Sequence, residues 1–285
     1  MRGVLLLFLL YSCNVWAELN YEVKHINSLP VIDGMGTDDQ WQLAQQLELT
    51  DVVADHEMYF SALHDGESIA IKVHFPDATE NREHKTLVWD DTSSIYKSSS
   101  KREDTFVLKW SISPLTKDLT LKSDEPYHAD IWYWKSFRTD PLGYADDKYQ
   151  IYSKVPNKKA KRLRSKDGSL FFLQRRGDSG KSAYKNRILI NKESNEEAKY
   201  SHKKPEGSRA DVKAKGVWQD GYWTIEFQRK LDTGNSDDIN LVVGNSMLLG
   251  LSRYEIAGRK PDQNLEIPYF GSGEISQLIN VLLEK

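Results

Sequence analysis

The residues of this chain that are best suited to chemistry lie in one aromatic stretch, residues 129–147, which reads ADIWYWKSFRTDPLGYADD. Trp132 and Trp134 are two positions apart, so on a strand their side chains point to the same face of a sheet. Indole is large, rigid and apolar, and two indoles side by side form either a wall of the core or a stacking platform for a flat ligand. The sequence leaves both interpretations open.

Charged residues follow the two tryptophans in the same stretch. Lys135 points to the opposite face of the strand, where we expect it to pair with Asp146 or Asp147. Together with Asp140, these two acids could supply loop oxygens to calcium, but their spacing matches no calcium loop. We therefore interpret the three acids as solvated residues of a turn.

Cysteine usage excludes several kinds of site. Cys13 is the one cysteine of the chain, so the body that follows has no disulfide, no thiolate zinc or iron–sulfur site and no C-x-x-C-H haem attachment. Catalytic signatures such as Gly-x-Ser-x-Gly, a phosphate loop or His-Glu-x-x-His are also absent from the sequence. We predict a protein that is not an enzyme.

The first 17 residues predict a signal peptide. Arg2 precedes the apolar run 4–10, and Ala17 ends a small-residue cleavage pattern that leaves Glu18 as the first mature residue. The expected location is periplasmic or secreted. An alternative is a membrane-anchored lipoprotein, because Leu-Tyr-Ser-Cys before and at Cys13 is similar to a bacterial lipobox. Residues 18–285 are expected to form a single domain.

The periodicity of the chain favours β structure. Aromatic residues make up 11% of the composition, and short alternating runs are separated by turn residues. We predict an all-β fold, an antiparallel β-sandwich of immunoglobulin-like or jelly-roll-like type with a few short helices. The expected elements are a helix over 38–45, hairpins over 58–75 and 216–229, and strands over 106–112, 240–243 and 248–256.

A basic insertion at about residues 148–209 interrupts this pattern. Residues 148–215 hold 20 Lys and Arg against 7 Asp and Glu, whereas the rest of the mature chain is acidic. One interpretation is a long solvated loop, partly disordered near 191–209, with an apolar run at 170–173 that must pack as a strand or pocket edge. The other is a docking surface for an acidic redox enzyme or cytochrome partner, or for anionic lipid. Nucleic-acid motifs are absent, so nucleic acid is not an expected partner.

Ordered along most of the mature chain, a set of short motifs resembles the haem-binding family typified by the γ subunit of ethylbenzene dehydrogenase. Its members are small haem-carrying subunits and domains associated with DMSO-reductase-type molybdenum enzymes and periplasmic cytochromes. Related sandwich modules that bind carbohydrate share the N-terminal pattern, and the insertion lies outside the resemblance. The motifs are IDG at 32–34, DDQW at 38–41, LHDGE at 63–67, FPDAT at 75–79, ED at 103–104, DIWYWK at 130–135, RTDP at 138–141, GVW at 216–218, DGYWT at 220–224 and FQR at 227–229.

The resemblance implies a non-covalent haem b, held by methionine and lysine ligands, with the strand of Trp132, Trp134 and Lys135 beside it. The family methionine is missing before this strand, and His128 is the nearby substitute. Met247 is a second candidate iron ligand.

The lysine that binds the haem iron in the family would correspond here to Lys213 or Lys215, which share one face of a strand. The alternative interpretations are a polar histidine at a strand edge, a methionine that fills the core and two solvated lysines.

The expected function is therefore an exported b-type haem-binding protein of the electron-transfer type, or an accessory subunit of a periplasmic redox system. The alternative is a haem-free β-sandwich module that binds carbohydrate or another small ligand, for which the tryptophans would supply stacking surfaces.

Overall fold

The computed structural model of the chain describes residues 19–51, 56–254 and 278–285. The predicted signal peptide, with Cys13, lies outside the described residues. The described residues include three short 3-10 helices, Asp39–Leu43, Asp140–Leu142 and Gly207–Ala210, the first within the predicted helix over 38–45. No helix among the described residues is long and apolar enough to cross a membrane.

Strands are the main regular secondary structure of the described residues. They are β1 (Leu19–His25), β2 (Leu47–Asp51), β3 (His56–His64), β4 (Ser68–Pro76), β5 (Leu87–Asp90), β6 (Ile95–Ser98), β7 (Thr105–Ser111), β8 (Tyr127–Lys135), β9 (Asp146–Ser153), β10 (Lys161–Arg164), β11 (Leu170–Gly177), β12 (Tyr184–Asn186), β13 (Glu196–Glu197), β14 (Tyr200–His202), β15 (Lys213–Gln219), β16 (Tyr222–Lys230), β17 (Ser246–Tyr254) and β18 (Leu278–Leu283).

The strands form a sandwich of two sheets that share β1. Sheet I has the order β10-β11-β9-β8-β7-β17-β18-β1, and sheet II has the order β1-β3-β4-β16-β15, with β2 paired to β3. The predicted all-β sandwich is confirmed. The pairing is mixed rather than wholly antiparallel, because β1 runs parallel to β18 through residues 19–23 and parallel to β3 through residues 24–25.

The main core lies between the two sheets. Alternate residues of facing strands point inward, and Trp110, Trp132, Trp134 and Trp223 are all fully buried there. The outer face of β8 is also buried, since Tyr127, Ala129 and Ile131 pack with Leu119 and Leu121 of the segment before the strand. Most of β8, which lies inside sheet I, is therefore buried on both faces.

Two hairpins follow the predicted pattern because their turn residues are local signals. Gly66 has a φ of 88° in the turn between β3 and β4. Asp220 and Gly221 both have positive φ, 52° and 85°, as a two-residue type I′ turn requires between β15 and β16. The prediction of a strand over 240–243 is wrong, because these residues lie in a turn segment. In this segment the backbone N–H of Leu241 donates to the Leu231 carbonyl.

The basic insertion is mostly folded. Strands β10 and β11 extend sheet I beyond β9, β12 pairs with β14, and β13 joins β5. Phe171 is fully buried and stacks on Tyr152 with 4.4 Å between the ring centroids. The apolar run at 170–173 is therefore a strand, as expected, and the interpretation of the insertion as one long solvated loop is wrong.

Candidate functional site

The two tryptophans of β8 form a wall of the core. Trp132 packs against Trp110 with 5.6 Å between ring centroids, and Trp134 meets Trp223 edge-on at 4.9 Å. Both indoles of β8 are 0% exposed, so in this structure neither offers a face to an external ligand. Gly216 of β15 lies so close to Trp134 that a Cβ there would fall 2.5 Å from the ring.

Lys135 lies at the far end of β8, inside a buried charge network. Its ammonium contacts the carboxylate of Asp146 and the rings of Tyr133 and Tyr184, and Arg209 contacts Asp146 from the other side. Burial lowers the pKa of Lys135 to about 8, against the opposing effect of Asp146. The predicted pairing of Lys135 with an acid of the turn is confirmed, with Asp146 as the partner.

Lys213 and Lys215 lie at the same end of the molecule as Lys135. The Lys213 ammonium sits 3.5 Å from the centroid of the Tyr144 ring. The Lys215 ammonium lies 3.1 Å from Asp140 Oδ2. Both amines are engaged with protein groups.

The three acids predicted to be solvated are buried instead. Asp140, Asp146 and Asp147 have exposed fractions of 0%, 2% and 0%. Asp140 accepts hydrogen bonds from Trp134 Nε1 at 2.9 Å and from the backbone N–H of Gly216 at 2.6 Å. The prediction was wrong because these partners lie on β8 and β15, which local spacing does not reveal.

His128 and Met247 lie at the opposite end of sheet I. The backbone N–H of Ile112 donates to the His128 carbonyl at 3.1 Å. Met247 lies two residues before Leu249, the residue of β17 that pairs with Trp110 of β7. His128 on β8 and Met247 on β17 thus lie at the same level of sheet I, with Ile112, directly after β7, between them. The His128 side chain is exposed and that of Met247 is half-buried.

A cavity of about 590 Å³ opens at this end of the sandwich, and we call it the end cavity. Its volume lies within the roughly 300–1,000 Å³ of small-molecule sites. Its walls come from the segments after β7 and before β17. The lining residues include Ile112, Pro114, Lys117, Ile239, Val242 and Met247.

The end cavity accommodates part of what a haem would require. Its walls are part apolar and part polar: Ile112, Pro114, Ile239 and Val242 could contact a porphyrin, Met247 offers a thioether, and Lys117 offers an ammonium to a carboxylate. The space between the sheets does not fit the group, because the four core tryptophans fill it. A haem would therefore be held at the end cavity, and Met247 is the residue present that would bind iron there.

A second concave surface, which we call the outer cleft, lies on the outside of sheet II and has a volume of about 250 Å³. Tyr222 is 44% exposed and stacks on His74 with 5.0 Å between ring centroids and 4° between ring planes. Asp220 and Gln219 supply polar groups beside the rings. An exposed aromatic face with polar neighbours can stack on a sugar. The sequence gives no signal for this surface, since Tyr222 has the pattern of an ordinary strand residue.

A buried group of carboxylates lies between the sheets near Trp132. Arg229 donates to Asp130 Oδ2 at 2.5 Å, and its guanidinium lies 4.8 Å from the Trp132 ring. Burial, together with the carboxylates of Asp130 and Asp238, raises the pKa of Asp147 well above its usual range. Burial and the carboxylates of Asp130, Asp237 and Asp238 raise the pKa of Asp178 to about 8. This group, too, was not foreseen.

Comparison with known proteins identifies a family. The family model described as ethylbenzene dehydrogenase matches residues 40–257. No curated protein matches the chain.

Three solved structures are similar to the chain over most of its length, at low identity and low TM-score. A family 9 carbohydrate-binding module from Caldicellulosiruptor kristjanssonii in complex with glucose is 9% identical, with a TM-score of 0.38 over 93% of this chain and 97% of that one. The structure of a family 9 module from the same organism with cellotriose is 10% identical, with a TM-score of 0.37 over 93% of this chain and 95% of that one. A putative carbohydrate-binding protein from Bacteroides uniformis is 12% identical, with a TM-score of 0.40 over 92% of this chain and 99% of that one.

Proposed function

The chain belongs to the ethylbenzene dehydrogenase family, and on this premise we propose that it is an exported haem-binding protein of the electron-transfer type. It carries electrons itself or acts as an accessory subunit of a periplasmic redox system, and it has no catalysis of its own. A non-covalent haem b supplies a centre that accepts and releases one electron. Export depends on the predicted signal peptide, with lipid attachment at Cys13 as the alternative route to the membrane surface.

The observation that carries this proposal is the end cavity with Met247 in its wall. Thioether sulfur is a known haem ligand and raises the reduction potential of the iron. His128 lies at the same end of sheet I and is the nearest candidate for a second ligand. Lys135, Lys213 and Lys215 lie at the other end, in contacts that already use their ammonium groups.

Titration of the purified chain with haem tests the proposal. We expect a sharp Soret band on haem addition and resolved α and β bands after reduction. Met247→Ala should lose the bands of the six-coordinate reduced form, because the thioether is removed. Met35→Ala is the matched control, since Met35 is 49% exposed and lies away from the end cavity. Absence of haem uptake, or identical spectra for both variants, would overturn the proposal.

A second candidate function is supported by the outer cleft. There the chain would bind carbohydrate, with the exposed ring of Tyr222 stacked on a sugar face. A glycan array should then give a signal that Tyr222→Ala removes and Tyr149→Ala keeps, because Tyr149 belongs to sheet I. A signal that survives Tyr222→Ala, or no signal from any glycan, would contradict this candidate.

A further inference from the structure

The carboxylates between the sheets form a compact group that the haem proposal does not use. Asp130, Asp147 and Asp238 each present one oxygen, and the three oxygens lie within 4.8 Å of one another. Their side chains are almost wholly buried. We call these three residues, with the adjoining Asp178, the carboxylate cluster.

The single positive charge of Arg229 inside the cluster is smaller than the negative charge of the carboxylates around it. The Arg229 guanidinium donates to Asp130 Oδ2 at 2.5 Å and lies 4.0 Å from Asp238. Its other end donates to the Ile239 carbonyl. One guanidinium thus serves the group of three carboxylates, with Asp178 adjoining, and burial of unpaired charge is strongly unfavourable.

Several of these oxygens have no hydrogen-bond donor among the described residues. They are Asp130 Oδ1, Asp147 Oδ2 and both carboxylate oxygens of Asp178. The exposed fraction of Asp178 is only 5%. Its backbone N–H donates to the Asp147 carbonyl at 3.3 Å, and this hydrogen bond holds the two acids side by side. Buried carboxylate oxygens without donors require a proton or a cation.

The surroundings of the cluster hold its acids in fixed orientations. The Thr233 hydroxyl donates to Asp238 Oδ2 at 2.6 Å, and the Ser208 hydroxyl lies 3.3 Å from Asp238 Oδ1. Asp237 accepts the backbone N–H of Ser179 at 2.8 Å. Hydrogen bonds of this kind orient the ligands of a metal site from outside. Three separate segments therefore converge on the cluster.

We propose that the carboxylate cluster binds a hard divalent cation of the calcium class. Asp130, Asp147, Asp178 and Asp238 supply oxygen ligands, and the cation fixes the turn segment after β16 to the strands of sheet I. An all-oxygen, anionic donor set favours Ca²⁺ over transition metals, which prefer nitrogen and sulfur. Asp130 Oδ1 serves the cation while Oδ2 stays paired with Arg229. The inference does not depend on haem binding.

Metal titration of the full chain tests the proposal. After chelation, addition of millimolar Ca²⁺ should raise the thermal unfolding temperature. Bound Tb³⁺ should show luminescence on tryptophan excitation, because the Trp132 ring lies beside Arg229 inside the cluster. The proposal would be overturned if, at neutral pH, Ca²⁺ gave no shift of the unfolding temperature and Tb³⁺ gave no sensitised luminescence.

A charge-neutral variant locates the site. Asp178→Asn keeps the side-chain shape and removes one of the carboxylates without a donor, so it should abolish the Ca²⁺ shift and the Tb³⁺ signal. Asp91→Asn is the control, since its side chain is 83% exposed, and it should respond like the unsubstituted chain. A full metal response in Asp178→Asn would contradict the assignment. If that variant does not fold, the titration of the unsubstituted chain still decides.

Discussion

Single residues in this molecule are constrained by partners that are distant in sequence. Gly216 is an instance, because its backbone N–H donates to Asp140 while its Cα faces the Trp134 ring. Asp140 in turn joins Trp134, Arg82 and Lys215 by hydrogen bonds. The DIWYWK and RTDP motifs are thus parts of one buried arrangement, together with the start of GVW.

Substitution of Gly216 should show this constraint. In Gly216→Ala the new Cβ would lie 2.5 Å from Trp134 Cζ2, inside a core with no room for it. Overpacking of this kind costs roughly 1–3 kcal/mol of unfolding free energy. Urea unfolding measures the loss. The double variant Gly216→Ala, Trp134→Phe should lose less than the sum of the single changes, since the smaller ring relieves the contact. Strict additivity would contradict the contact.

His84 should make the stability of the protein depend on pH. Burial, with further contributions from neighbouring cations, lowers the pKa of His84 to about 2. Glu103 lies 3.3 Å from its Nδ1, but that carboxylate is already paired with Arg138. The folded chain therefore excludes a proton that the unfolded chain binds below about pH 6.5. The cations that lower the pKa are Arg138, Lys85, Arg102 and Lys135.

The sign follows from this difference in proton binding. The contribution of His84 to stability is complete above pH 6.5 and is lost as the pH falls towards 2, with a slope of up to about 1.4 kcal/mol per pH unit. His84→Gln should flatten the decline of the unfolding free energy between pH 7 and pH 5. His56→Gln, at an exposed position, should leave it unchanged. Equal slopes in all three chains would contradict the expected effect.

At the scale of elements, local signals predicted what local chemistry determines. The turns at Gly66 and Asp220-Gly221 define two hairpins, and both were predicted from turn residues alone. The parallel pairing of β1 with β18 joins residues about 260 positions apart, and nothing in either strand records its partner. Residues 240–243 have the composition of a strand but lie in a turn segment, where the backbone N–H of Leu241 donates to the Leu231 carbonyl.

Strand β11 shows that the basic insertion is part of the fold. Phe171 is fully buried against Tyr152, whereas its neighbour Leu170 is 45% exposed. Phe171→Ala should therefore lower the unfolding free energy by about 3–5 kcal/mol. Leu170→Ala should change it far less. Urea unfolding monitored by fluorescence gives both values, and a small loss at Phe171 would mean that the insertion is not packed on sheet I.

The basic residues of β10 and β11 remain a candidate docking edge. Arg162, Arg164, Arg175 and Arg176 are exposed on the outer strands of sheet I. A surface of this charge attracts an acidic redox enzyme or cytochrome partner in a manner that salt screens. That role stays a prediction of the sequence, to which the structure adds the position of the edge.

For the whole molecule, the sequence predicts the β-sandwich and the family, and it predicts only part of the site. The order of short motifs carries the family signal, and the structure confirms the fold. Met247 was singled out from sequence, but the end cavity is built from two segments that sequence does not bring together. The carboxylate cluster joins Asp130 to Arg229, which are 99 residues apart, and no local pattern records such a contact.

The central claim is that this family member carries haem, and one absorption spectrum tests it most directly. The full chain is produced with its own signal segment in a bacterial periplasm supplied with haem, then purified and reduced. The account predicts a Soret band with sharp α and β bands, and a weaker or shifted set for Met247→Ala. A protein that is folded and exported but has no haem absorption would contradict the account.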